Sequence, residues 1–221
     1  MRKTSDKVKK KKPRSGNPFE WICCRDLSLN FSSGESNELF CPSRGSGSIA
    51  TRRRKKGEEA KTQTADIGLA DPRGKLFIDT FCSECKLGYM GKRKTDKGIV
   101  KTTWGPLDIL DGKQNETTLE TFWNQTTRDA KINNKEPLLF FRRNNRTACV
   151  VMYQSIYQKC VHLFGIPPDG ILNIDFKDYD LVILNMKTFL NWVNMKELCH
   201  EIDKEKTNSK EAKQNTTEKE E

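Results

Sequence analysis

No apolar run in the chain approaches the roughly 18 residues that a helix needs to span a bilayer, so no membrane partner is expected. The opening residues, MRKTSDKVKKKKPR, lack the apolar stretch of a secretory signal, which leads us to expect an intracellular protein. Apolar residues are scarce, at 34 %, so they must be concentrated in part of the chain. There is no internal repeat, which excludes a solenoid or propeller. The Asn-x-Ser/Thr triplets at Asn30, Asn115, Asn124, Asn145 and Asn215 then read as polar sequence rather than glycan sites.

What is abundant is positive charge. Lys and Arg number 40 against 30 Asp and Glu, a formal net charge of +10. Such a balance suits a polyanion, although a basic tail on an ordinary soluble protein gives the same count. The eight cysteines make an even number, but inside a cell thiols stay reduced. Cys23, Cys149 and Cys160 lie in apolar stretches, where a thiol serves as a small hydrophobe.

Along the chain, residues 1–16 form a lysine-rich arm expected to be disordered. A helix is predicted from Asn17, with Pro18 in its first turn and Phe19, Ile22, Cys23 and Leu27 on one face. It should end near Ser32-Ser33-Gly34. Residues 41–64 read as a basic Gly/Ser loop suited to phosphate contact, with Arg44, Ser46, Ser48, Arg52, Arg53 and Arg54 as candidates. A hairpin follows: strand 65–70, a turn at Asp71-Pro72-Arg73-Gly74, and one long strand over 75–86. Residues 88–115 read as a polar loop. A helix over 117–132 buries Leu119, Phe122, Trp123 and Ala130. Strands at 137–142 and 148–153 form a hairpin, and a strand at 181–186 leads into a helix with Phe189, Leu190 and Val193. The tail 203–221 alternates Lys and Glu and is expected to be disordered, which leaves one domain over 17–202. The order of elements predicts an α/β domain with a mixed sheet.

Three residues on the expected hairpin could carry chemistry. Glu84 and Lys86 are two apart on a strand and share a face. Pairing across the hairpin can bring Asp66 to the same end. Two carboxylates make a hard oxygen site for Mg²⁺, and a neighbouring lysine can orient water and stabilise charge on a phosphate. The spacing alone is common on exposed strands; what sets it apart is its place at the end of an apolar strand, just before a loop.

The order SGNPFEWI, SRGSGSIATRR, ADIGL and SECK, followed by FWNQTTRDA and PLLFFRRNNRTACVVM, resembles the PD-(D/E)xK nuclease superfamily. Within it the chain is most similar to archaeal and phage Holliday junction resolvases and related phage endonucleases. The resemblance runs from about residue 14 to 154. It implies a restriction-endonuclease-like core, a central mixed β-sheet flanked by helices. It implies Asp66 and Glu84 as ligands of Mg²⁺ (Mn²⁺ substituting), joined by the carbonyl of Cys85 and by Glu20, with Lys86 positioning the attacking water. Glu20 also sits three residues after Asn17, the place of a capping-box glutamate. Gln125 could face the site or solvent. The implied substrate is DNA, four-way junctions in particular, and the implied assembly a homodimer. The implied location is the cytoplasm, of the host cell if the protein is phage-encoded, or the nucleus if it is eukaryotic or viral.

Two rival readings are open to the same residues. Cys82-x-x-Cys85 has the spacing of zinc ligands, but Cys23-Cys24 and Cys160-x-His162 make poor second pairs. A non-catalytic DNA-binding or packaging factor needs the basic segments and neither carboxylate.

Overall fold

The computed structural model describes residues 18–43, 65–87, 92–95, 98–101, 118–143, 145–176 and 179–217. Its centre is a five-stranded mixed sheet in the order β3 (Phe81–Leu87), β6 (Glu136–Arg142), β7 (Ala148–Tyr153), β9 (Tyr179–Asn185), β8 (Leu172–Phe176). β3 lies at one edge and runs parallel to β6; the other pairings are antiparallel. A two-stranded ribbon pairs β1 (Phe40–Pro42) with β2 (Ile67–Leu69), and a second pairs β4 (Lys92–Thr95) with β5 (Gly98–Lys101).

Alternation along the strands divides the core in two. On one face, Cys85, Leu138, Phe140, Val150, Met152, Val182 and Leu184 pack against α1 (Pro18–Phe31), α2 (Lys75–Thr80), α4 (Gln154–Phe164), α5 (Met186–Trp192) and α6 (Met195–Thr217). On the other, Leu139, Phe141, Val151 and Leu181 receive Leu119, Phe122 and Trp123 of α3 (Thr118–Ile132). The expected α/β fold with a mixed sheet flanked by helices is the one observed.

Two polar side chains fix α1 within this frame. Asn30 donates to the carbonyls of Leu190 (2.6 Å) and Val193 (2.7 Å) and accepts from the Met195 amide (3.0 Å), tying α1 to the α5–α6 junction. Ser28 donates to the Cys24 carbonyl at 2.7 Å and accepts from the Phe40 amide at 3.1 Å, which seats β1 on α1. Asn30 serves the carbonyls at the end of α5 and the amide that opens α6, positions where a helix leaves backbone groups without intrahelical partners.

Several expectations need correction. Residues 75–86 are not one strand: 75–80 form α2, and the chain becomes extended only at Phe81. Burial at Gly74, Phe77 and Thr80 recurs every three residues, a helical period, and Lys75 pairs with Asp79 one turn on. Gly74 permits this junction because a side-chain carbon there would lie 2.6 Å from the Phe40 ring. Consequently β2 and β3 do not form the expected hairpin; β2 pairs with β1, so Cys41 and Pro42 are strand rather than the start of the expected loop. The loop expected over 88–115 contains the β4–β5 ribbon. The tail expected to be disordered from 203 continues α6 to Thr217. α4 and β8 were not anticipated. The arm 1–16, Asn17 and most of the basic loop lie outside the described residues.

Candidate active site

β3 is an edge strand, so alternate residues turn their backbone groups away from β6. Asp66 occupies that edge. Its amide donates to the Ser83 carbonyl at 2.9 Å, and its carboxylate accepts from the Cys85 amide at 2.9 Å. The structure thus brings Asp66 to β3 through these two bonds rather than through a strand ladder. Because a residue's N–H and C=O leave a strand on the same side, the Cys85 carbonyl also points to the Asp66 side.

Glu84 and Lys86 project from the face of β3 that is turned towards α3, beside the edge that Asp66 occupies. Their register partners on β6 are Leu139 and Phe141, both in the core beneath α3. Glu84 is 1 % exposed. Its Oε2 accepts from Lys86 Nζ at 2.6 Å and from Gln125 Nε2 at 3.0 Å. The Lys86 ammonium also lies 5.7 Å from the centre of the Phe122 ring, so it is held between a carboxylate and an aromatic face. Phe122, Gln125 and Asp129 stand at i, i+3 and i+7 on α3 and form one stripe directed at β3.

Burial pushes the Glu84 carboxyl up to about 8, and the Asp66 charge adds to this. Lys86 pulls the other way, with its charge and its hydrogen bond, and is outweighed. Asp129, 5 % exposed, raises Glu84 further. Between the ordinary value near 4.5 and about 8, the folded protein holds a proton on Glu84 that the unfolded chain has released. Without added cations, stability should therefore fall as pH rises through this window and level off above it. Thermal melts at pH 5.5 and pH 8 test this, and Glu84→Gln should remove most of the difference; a wild-type melting temperature higher at pH 8 would contradict the assignment.

Glu20 stands in the first turn of α1, half-buried. Its charge and that of Asp66 both act on the buried Cys24 thiol, after burial and the neighbouring thiols Cys23 and Cys41, and all of them raise it. Glu20 and Asp66 thus both lie near Cys24. Gln125 faces Glu84, not solvent. Arg44, Ser46, Ser48, Arg52, Arg53 and Arg54 lie outside the described residues. Sequence reasoning missed Asp129 and Phe122 as neighbours of the site. The signal was available, since both fall on the helical face of α3 that carries Gln125. It also missed the bond from Asp66 to the Cys85 amide, which no periodicity reports.

The donor set can be weighed against a divalent cation. Among the described residues no three His, Cys, Asp or Glu side chains converge as a metal cluster. The hard donors are the carboxylates of Asp66 and Glu84, with the edge carbonyl of Cys85 beside them. Two carboxylates with mutual repulsion fit Mg²⁺, which binds through one or two carboxylates and takes its other oxygens from water and phosphate. Zinc is a poor fit: Cys85 packs in the α1-side core, while Cys82 shares the parity of Glu84 and points to the other face.

Residues 101–200 match the model of a family described as "Phage putative PDDEXK endonuclease". The matched segment holds α3, β6, β7, α4, β8, β9 and α5, and with them Gln125 and Asp129; Glu20, Asp66, Glu84 and Lys86 precede it. No curated protein and no solved structure matches the chain. The mixed sheet flanked by helices is consistent with a restriction-endonuclease-like fold, and the segment 101–200 within it is similar to a family of phage PD-(D/E)xK endonucleases.

Proposed function

We propose that the protein is a Mg²⁺-dependent DNA endonuclease that hydrolyses phosphodiester bonds, with Asp66, Glu84 and Lys86 as its chemical centre. The observation that carries this reading is their convergence on one edge strand: Asp66 fixed on the Cys85 amide, and Glu84 and Lys86 in contact at 2.6 Å. Asp66, Glu84 and the carbonyl of Cys85 would hold the cation, with Glu20 approaching from α1. Bound there, Mg²⁺ supplies Lewis-acid stabilisation of the charge that develops on the phosphoryl oxygens. Gln125 holds the Glu84 carboxylate in place through its amide hydrogen bond. Lys86, restrained by Glu84 and Phe122, orients the attacking water and donates to a phosphate oxygen. Arg44, Ser46, Ser48 and Arg52 to Arg54 contact the DNA backbone.

A four-way junction is the lead substrate, and a homodimer the matching assembly, since two strands are cut symmetrically. The second reading, a general phage endonuclease, is favoured by the family description, which names no junction. Linear, nicked, flap and four-way DNA offered with Mg²⁺ separate them. Preferential cutting of the four-way junction by a species that scatters light as a dimer supports the lead. Equal cutting of linear duplex by a monomer supports the alternative. No cutting of any substrate rejects the nuclease reading.

A further inference from the structure

β6 and β7 are joined by a tight turn with the sequence RRNNRT. It closes through the Arg146 amide, which donates to the Arg143 carbonyl at 3.1 Å, and Asn145 adopts a left-handed conformation with φ 57°. Asparagine tolerates that conformation better than most residues. The turn thus presents Arg142, Arg143 and Arg146 within five positions; Arg146 is exposed, and the other two are half-buried.

The location of these charges ties them to the candidate active site. Leu87, the last residue of β3, is in register with Arg142. The turn therefore begins about 5 Å to the side and roughly 3.3 Å beyond the end of the strand that carries Glu84 and Lys86. Arg142 also lies over the Phe19 ring at 5.5 Å, and Phe19 precedes Glu20 in α1. That cation–π contact holds the Arg142 guanidinium near the ring.

Among the other described arginines, Arg25, Arg73 and Arg128 each pair with a carboxylate. No carboxylate among the described residues pairs with Arg142, Arg143 or Arg146. Three like charges on a tight turn repel one another, and an anion with repeated charges relieves that repulsion. Guanidinium groups match phosphate oxygens in a planar, bidentate fashion.

We propose that the β6–β7 turn binds the phosphodiester backbone of DNA, through Arg143 and Arg146 with Arg142 in support, and so seats the strand against the Glu84–Lys86 end of β3. This rests on the nuclease reading for its consequence in cleavage, but its binding claim is tested separately. The full chain is titrated with a fluorescent 30-base-pair duplex in EDTA over a series of salt concentrations. Arg143→Ser/Arg146→Ser should weaken binding and reduce the slope of log affinity against log salt by about 1.8, two contacts at roughly 0.9 each. Arg146→Ser alone, at the exposed position, should reduce it by about 0.9 and guards against a double variant that does not fold. Lys131→Ser/Lys135→Ser removes the same charge at the far end of β6 and should leave the slope unchanged. Affinity and slope unchanged in the Arg variants would overturn the proposal. So would an equal loss in the Lys control, which would mark a net-charge effect, or a wild-type chain that does not bind the duplex. A wild-type chain that binds through the turn but does not cut with Mg²⁺ would sink the nuclease reading and leave the turn proposal standing.

Discussion

Glu84→Ala should reduce Mg²⁺-dependent DNA cleavage below detection while DNA affinity stays near that of the wild type. The two properties separate because they reside on different groups. Affinity comes from many cations spread over basic segments. Rate comes from one cation site and one positioned water. Asp66→Ala should have the same result, and both variants should lose the Mg²⁺-induced rise in melting temperature. Lys86→Ala should keep that rise and lose about 10²–10³-fold in rate, the scale of removing one preorganised donor. Glu84→Ala also strands Lys86, which is only 12 % exposed, so Glu84→Gln, which retains a hydrogen-bonding group, guards against a folding defect. Asp71→Ala is the control. Asp71 caps a tight turn and pairs with Arg73 at the surface, and its loss should leave cleavage intact. Ca²⁺ should support binding without cutting, because its looser coordination positions water badly. Wild-type cleavage by Glu84→Ala would make the E-x-K pattern accidental and the protein a DNA-binding factor.

Phe77→Ala should destabilise the protein by about 3–5 kcal/mol, the range for emptying a buried aromatic site. Phe77 is fully buried and meets Phe40 at 5.0 Å, Phe81 at 5.5 Å and Phe31 at 6.3 Å between ring centres. These rings join α1, β1, α2 and β3, so none can move into the gap without disturbing a second element. Phe77→Leu should lose less, since most of the volume is kept. Urea unfolding followed by circular dichroism measures both. A loss under about 1 kcal/mol for the alanine variant would show that the cluster relaxes and that α2 is not the anchor of β3.

The same cluster explains how much of the molecule was legible in the sequence. α1, α3, the β6–β7 hairpin and the β9–α5 unit each repeat their pattern over enough residues for periodicity to identify them. The segment KLFIDTFCSECK does not. Its apolar residues suit a strand as well as a helix, and the choice falls to packing: Phe77 enters the aromatic cluster only if 75–80 coil. The helix past 203 was misread for a related reason. Alternating Lys and Glu look like a solvated tail, yet both are good helix formers. In the candidate site, the pair Glu84 and Lys86 was legible because two-residue spacing on a strand puts side chains on one face. Asp66 was placed correctly beside them but for the wrong cause. It reaches β3 through two bonds to the strand's backbone, and no local pattern encodes a contact across such a sequence separation.

Those two bonds have a consequence for solubility as well as for chemistry. β3 is the outermost strand of its sheet, and Ser83 O and Cys85 N–H are the groups to which a second chain would add a strand. With Asp66 in place they are already occupied. An alanine there strips away the side-chain cover and leaves part of a template for intermolecular pairing. Asp66→Asn keeps an oxygen for the Cys85 amide and surrenders only the charge. Of the two variants it is therefore the one whose inactivity can be ascribed to chemistry, free of self-association.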